Sequence, residues 1–564
     1  MRQKLNYSNV LLLLFFSLAI CYPQSIKYAE SKNGMVVSAE ELATKVGVQI
    51  LKKGGNAVDA AVAVGFALAV TYPTAGNIGG GGFMIAHMND GKNIAIDFRE
   101  TAPIMATRDM YLDSLGNFVQ KKSLEGGLAV GVPGTVAGLL YALDKYGTKT
   151  IDELIQPAIN LAEMGFPLSK SNAKSFNDYK NDFKKFASTK EIFVKDLPFK
   201  EGDIFYQKDL AKTLEKIKVN ERAGFYSGEI AEKIVKSINE NGGSFSINDL
   251  QNYEVKERNV INGNFNGYEI ISMPPPSSGG IALVQILNMF EHTNYDKSNL
   301  DSSDYYHYLI EILKLVYADR AEHLGDPDYL KIPIQKLISK EYSKSQFEKI
   351  SKIATPSFEI KSFVNDLFNE SEETTHYSIY DQYGNAVSVT YTLNGGYGSK
   401  LIADGTGILL NNEMDDFSAK PGTPNQFGLV GSEANSIQPK KRMLSSMTPT
   451  IVLKDNNSYL IVGSPGGSTI ITVVAQVILN ALYFNSNLSD AVNNPRIHHQ
   501  WLPDHFDIEK ESFSDEILKQ LKTKGHKIGK TRLLGLVEAI MIDQKNNLIY
   551  GVSDKRGSGH AAGH

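Results

Sequence analysis

The chain has 564 residues, 42% of them hydrophobic and 21% charged, with a formal net charge of −5. This is an ordinary globular composition with ample material for a core, and it offers no electrostatic footprint for nucleic acid. A single cysteine, Cys21, rules out an internal disulfide and argues against a zinc–thiolate site or a cysteine protease.

Arg2 and Lys4 precede an apolar run over residues 10–20. That is the layout of a secretory signal peptide, and it is too short for a stable membrane span. A signal over residues 1–21 and a periplasmic or secreted location are expected. Leu18-Ala19-Ile20-Cys21 also resembles a lipoprotein acylation site, but Ile20 stands where a small residue is usual, so cleavage is favoured over lipid anchoring through Cys21.

Residues 38–53 predict an amphipathic helix capped by Ser38 and Glu41 and stopped at Gly54-Gly55. Residues 56–70 are Ala/Val-rich on nearly every face and predict a buried helix. The run Gly79-Gly80-Gly81-Gly82 after Asn77 lets backbone approach something closely. It matches neither a P-loop nor the dinucleotide fingerprint, so a tight core turn is expected. Residues 83–86 and 94–99 form a predicted strand pair across Asn89-Asp90-Gly91, which leaves Arg99 at a strand end. Arg99 reads either as an ion-pair partner or as a fork for a carboxylate.

The middle of the chain is helix-rich. Residues 151–165, 207–221 and 305–323 have helical spacing, with their charges expected on solvated faces. The lysine-rich residues 170–200 are expected at the surface. Residues 267–273 predict a strand leading into a rigid loop, Pro274 to Gly280, ahead of an apolar helix. Residues 336–369 turn polar and the acidic Glu370, Glu372 and Glu373 follow, a composition suited to an exposed, mobile segment.

Thr374-Thr375-His376 follows, then strands over 376–380 and 386–393. A threonine hydroxyl is a poor nucleophile without a base, but as the first residue of a chain its own α-amine can serve. Thr374 is internal as encoded, so that chemistry requires cleavage of Glu373-Thr374; the alternative is plain β-propensity. Residues 448–453 and 459–463 predict a second hairpin. After it, Gly463-Ser464-Pro465-Gly466-Gly467-Ser468 enters a helix over 470–482, a junction that is either a common turn or an oxyanion cradle. His498-His499 reads as structural, and His560 and His564 are expected in a disordered tail.

Taken in order, Asn77 with the glycine run, Asp97 to Pro103, Gly131-Val132-Pro133-Gly134, Pro274 to Gly280, Thr374 to Ser378, Asn411 to Asp416, Leu444 to Met447, Gly463 to Gly467 and Asn494-Pro495-Arg496 give a resemblance. The sequence resembles the γ-glutamyltranspeptidases. The resemblance implies an α/β (α+β) four-layer αββα sandwich of the N-terminal-nucleophile hydrolase type, one intertwined domain of two autocleaved subunits, 22–373 and 374–564. It implies Thr374 as nucleophile, assisted by Thr392, with the Gly466 and Gly467 N–H groups as oxyanion hole. Arg99, Ser445 and Ser446 would hold the α-carboxylate of a γ-glutamyl donor such as glutathione, and Asp416, Glu413 and Asn394 its α-ammonium. Acceptors would be water or an amino acid or dipeptide; no cofactor or metal is implied. Residues 421–435 occupy the place of a lid loop, with Phe427 where many relatives carry tyrosine, so the lid must close by packing alone. The alternatives are a glutaryl cephalosporin acylase, a capsule γ-polyglutamate depolymerase, or an inactive exported binding protein of the same fold.

Overall fold

The computed structural model describes residues 27–361, 374–509 and 513–564. The expected signal peptide, Cys21 and the acidic stretch 370–373 lie outside the described residues. Two seven-stranded antiparallel sheets dominate the fold. The first runs, edge to edge, Tyr28–Ser31, Leu548–Ser553, Glu538–Asp543, Asn457–Gly463, Thr450–Lys454, Tyr268–Ser272 and Ile261–Phe265. The second runs His560–Gly563, Met35–Ser38, Thr375–Tyr380, Ala386–Thr392, Gly81–His87, Asn93–Phe98 and Lys256–Arg258.

Strand alternation makes the layers. In the second sheet Val36, Met84, Ala86, Ile94, Ile96, Tyr377 and Ile379 face one core, which includes the helices Glu41–Lys52, Ala57–Thr71, Thr135–Tyr146 and Ile151–Met164. Met35, Val37, Phe83, Ile85 and Ala95 face the other core, shared with the first sheet and its helices Gly279–Phe290, Ser303–His323 and Ile470–Ile478. The result is the expected αββα sandwich. The Ala57–Thr71 helix is buried along its whole length, which its Ala/Val composition requires, and Asn56 with Asp59 closes a capping box at its start.

Several local expectations change. Ser38 lies in a strand, and the first helix is capped instead by Glu40, whose carboxylate accepts the Leu42 and Ala43 N–H groups. The charges of Ser303–His323 do not form a solvated face, because Glu311, Lys314, Asp319 and Arg320 are all buried. Residues 336–361 are not a featureless segment, since the helices Lys340–Phe347 and Ser357–Ile360 lie there and Ser343 and Ser357 are buried. The lysine-rich region hides Phe176, Phe183 and Phe193, which pack around Tyr397. His560 is no tail residue. It opens the edge strand His560–Gly563, which pairs with Met35–Ser38 and is buried.

Candidate active site

Thr374 immediately precedes the Thr375–Tyr380 strand and Thr392 ends its neighbour. Because Thr375 pairs with Tyr391, the two threonines face each other at the end of the ladder, Oγ1 to Oγ1 at 3.3 Å. Thr392 Oγ1 accepts the Asn394 N–H at 2.8 Å, which places the Thr392 hydroxyl to donate toward Thr374. Asn77 fixes this corner. Its amide donates to the Thr392 and Ala75 carbonyls, both at 2.9 Å, and its oxygen accepts from the Gly80 N–H and the Thr135 hydroxyl. A Cβ on Gly80 would sit 2.0 Å from the Thr392 carbonyl oxygen. The close approach permitted by the glycine run is therefore to the strand that carries Thr392.

Arg99 leaves the Asn93–Phe98 strand fully buried and turns toward the turn Glu413–Asp416. It donates to Glu413, to Asp416 at 2.6 Å and to the Met443 and Leu444 carbonyls. Glu100 lies 3.7 Å away. Burial works against the Arg99 charge, but Glu413, Asp416 and Glu100 outweigh it and hold the guanidinium above its ordinary range. Burial likewise raises the three carboxyls against the pull of Arg99, and Glu100 reaches about 8. Both Glu100 oxygens lack a hydrogen-bond partner among the described residues, as does one of Glu413. Three carboxyls around one guanidinium titrate as a unit, and at neutral pH the unit retains a proton. Asp415, next door, is structural: it accepts from the Ser123 hydroxyl and the Gln426 N–H.

The serine loop is clamped from behind. Ser445 N–H donates to Pro276, while the Ser278 N–H and hydroxyl both donate to the Ser445 carbonyl, so the rigid Pro274-to-Gly280 segment sets the height of Ser445 and Ser446. On the opposite wall Gly466 and Gly467 have φ of +134° and +53°. Only glycine adopts the first of these readily, and a Cβ on Gly467 would lie 2.5 Å from the Phe427 ring. Phe427 is buried, with its carbonyl held by Gln500 at 3.0 Å. The loop thus closes by ring packing over glycine, as its missing hydroxyl requires.

Arg99, Thr374, Thr392, Asn394, Glu413, Asp416, Phe427, Ser445, Ser446 and Gly467 line one cavity of about 20 Å³. Gly466 lines an adjoining pocket that also reaches Thr374. Asn394 takes φ +77°, which asparagine tolerates, and its amide donates to the Asn412 carbonyl. His498 and His499 are occupied structurally, with Thr472 and Gln500 around the first and the Trp501 N–H on the second. Sequence reading missed Arg320, whose guanidinium donates to Ser446. It named Asn411 only as the start of a motif and gave it no role; its amide oxygen accepts the Glu413 and Gly131 N–H groups and its NH2 holds Gly79 and Gly131. No local signal marked Arg320: its helix also carries Glu311, Lys314, Asp319 and Glu322, so in sequence it reads as one more charge of a solvated face.

A four-layer αββα sandwich with a threonine pair at the end of a central strand ladder defines an N-terminal-nucleophile hydrolase. Comparison with known proteins narrows this. The gamma-glutamyltranspeptidase family model matches residues 43–564. A glutathione hydrolase proenzyme of Escherichia coli is 50% identical over 529 residues, covering 93% of this chain and 91% of that protein. Among solved structures, Helicobacter pylori gamma-glutamyltranspeptidase matches with a TM-score of 0.58 and 48% identity, over 59% of this chain and 96% of that one. A cephalosporin acylase from Bacillus halodurans matches with a TM-score of 0.85 at 25% identity, over 98% and 99%. The chain belongs to the γ-glutamyltranspeptidase family. It is an enzyme of that type, a γ-glutamyl hydrolase and transpeptidase made as a self-processing proenzyme. Among the described residues no helix is long and apolar enough to cross a membrane.

Proposed function

We propose that Thr374 is the nucleophile of both maturation and turnover, and that glutathione is a donor. Attack of Thr374 Oγ1 on the Glu373 carbonyl converts the peptide bond to an ester. Water then cleaves that ester, leaving a carboxylate on Glu373 and a free α-amine on Thr374. This yields chains 22–373 and 374–564. The H. pylori chain, matched over nearly all of itself but only 59% of this sequence, is in keeping with such a division. In the mature enzyme the Thr374 amine takes the hydroxyl proton, and Oγ1 attacks the γ-carbonyl of the donor. The Gly466 and Gly467 N–H groups hold the oxyanion, the departing amine takes the proton, and a γ-glutamyl ester forms. Water or the amine of an amino acid or dipeptide resolves it.

The observation that carries this reading is the convergence of Thr374, Thr392, the Arg99–Glu413–Asp416 cluster and the two serines on one cavity. The α-carboxylate of the donor meets Arg99, Ser445 and Ser446; its α-ammonium meets Asp416 and Glu413, with Asn394 beside them. A glutaryl side chain has no ammonium to offer those two acids, which disfavours an acylase. About 20 Å³ holds scarcely more than one water, so donor entry displaces Phe427 and Leu429. The same reading places the enzyme outside the cytoplasm, by the signal-like N-terminus. The test is a denaturing gel combined with chromophore release from a γ-glutamyl anilide, with and without glycylglycine. Two fragments, the smaller beginning at Thr374, and activity abolished in Thr374→Ala are expected; an uncut yet active wild-type chain would overturn the assignment.

A further inference from the structure

Arg320 sits in the Ser303–His323 helix, buried to 5% exposure, with a guanidinium that no carboxylate pairs among the described residues. Its Nε donates to the Ser278 hydroxyl at 3.0 Å and its Nη2 to the Ser446 hydroxyl at 3.2 Å. Both partners are neutral. Removing a guanidinium from water without a counter-charge costs several kcal/mol, so such groups are retained where an anion arrives to complete them. Asp416 acts on Arg320 only through space, and its side chain is already committed to Arg99 and the Asn425 amide.

The hydrogen-bond directions say which anion. Ser446 Oγ accepts from Arg320, and Ser445 Oγ accepts the Met447 N–H at 3.1 Å. Each hydroxyl therefore has its oxygen occupied by a donor and keeps its own proton to give, and both line the cavity beside Thr374. Arg99, the other guanidinium there, already faces Glu413 and Asp416.

We propose that Arg320 is a positioning residue of the donor pocket: it turns the Ser446 hydroxyl toward the α-carboxylate of the γ-glutamyl group and supplies the positive charge that this carboxylate neutralises. With it, a second guanidinium stands near Asp416 beside Arg99, so the carboxylate end of a zwitterionic donor meets more positive charge than Arg99 alone supplies. Without it, the α-carboxylate keeps only Arg99, which Glu413 and Asp416 already engage, and the serine hydroxyls. The proposal rests on the reading of this cavity as the γ-glutamyl site.

The test compares two anilides, γ-glutamyl and 4-aminobutyryl, which differ only by the α-carboxylate. In Arg320→Met, KM for the γ-glutamyl anilide rises about 10- to 100-fold, the loss of a charge-assisted hydrogen bond, while kcat changes little. Turnover of the 4-aminobutyryl anilide does not fall, and Arg320→Lys recovers part of the γ-glutamyl KM. Self-cleavage on a gel reports that the variant has folded. Where Arg320→Met does not mature, Ser446→Ala reads the same selectivity with Arg320 in place. An equal loss on both anilides, or a fall in kcat at constant KM, makes Arg320 a mere buttress and overturns the proposal. A wild-type enzyme inactive on γ-glutamyl anilide would instead sink the donor-site reading beneath it.

Discussion

Thr374 and Thr392 stand hydroxyl to hydroxyl, 3.3 Å apart, on neighbouring antiparallel strands. The arrangement gives Thr374, the proposed nucleophile, a neighbouring hydroxyl that no loop movement can withdraw. Thr392→Val keeps the shape and removes the donor. Self-cleavage and kcat are expected to fall by roughly 10- to 100-fold with KM unchanged, the scale of one hydrogen bond made in the transition state. Thr392→Ser should restore most of the rate. Quench-flow gels and steady-state kinetics measure both.

Arg99 is the hub of a buried cluster, and removing it leaves Glu100, Glu413 and Asp416 facing one another without it. For Arg99→Met a stability loss of about 3–5 kcal/mol is expected, visible as a lowered Tm and slowed maturation. Arg99→Lys keeps the charge but loses the fork to Glu413 and Asp416. It should fold and process, with a donor KM raised at least about tenfold. Wild-type KM in the lysine variant would contradict the clamp.

Phe427 seals the cavity by lying on Gly467. Phe427→Ala should raise the donor KM several-fold with little change in Tm, because the loop opens locally rather than unfolding the core. Gly467→Ala meets the ring and a φ of +53° together. It should lower kcat by about 10²–10³-fold if the N–H groups there hold the oxyanion, and the Phe427→Ala background should relieve only the steric share.

Stability should form a dome in pH. Burial depresses His376 to about 3, His499 to about 4 and His526 to about 2. Their folded values lie below the unfolded value near 6.5, so the stability they contribute is intact above that pH and lost progressively as pH falls beneath it. Asp415 and Glu100 are raised to about 7 and about 8, so theirs is present below about 4.5 and lost as pH rises through those values. Thermal melts from pH 4 to 9 should show both limbs. In His499→Asn, which can still accept the Trp501 N–H, the acid limb should be shallower; an unchanged limb would assign acid lability elsewhere.

Much of this was legible without coordinates where one local rule governed. The hairpin Thr450–Lys454 with Asn457–Gly463 followed from strand alternation on either side of a polar turn, and Asp455 and Asn456 in that turn take positive φ. The Thr374–Thr392 pairing was implied by the family resemblance, and the Thr375–Tyr391 register is what delivers it. What failed depended on a partner remote in sequence. Glu40 outcompeted Ser38 as a cap because the Met35–Ser38 strand claims Ser38 for the sheet. Arg320 read as surface because its serines lie 42 and 126 residues away. His560 read as a tail because the strand that receives it is near the opposite end of the chain.

That last pairing bears on what maturation leaves behind. In the second sheet the strands from before residue 374 and those from after it are interleaved: His560–Gly563 flanks Met35–Ser38, and Thr375–Tyr380 with Ala386–Thr392 lies between Met35–Ser38 and Gly81–His87. The first sheet is shuffled in the same way, with Tyr28–Ser31 at one edge on Leu548–Ser553 and Thr450–Lys454 beside Tyr268–Ser272. The two products of a cut before Thr374 are thus halves of shared ladders rather than docked partners. Parting them would break every ladder they share, so they are expected to stay together on dilution. The interleaving is thus expected to be laid down in the single proenzyme chain, before the cut.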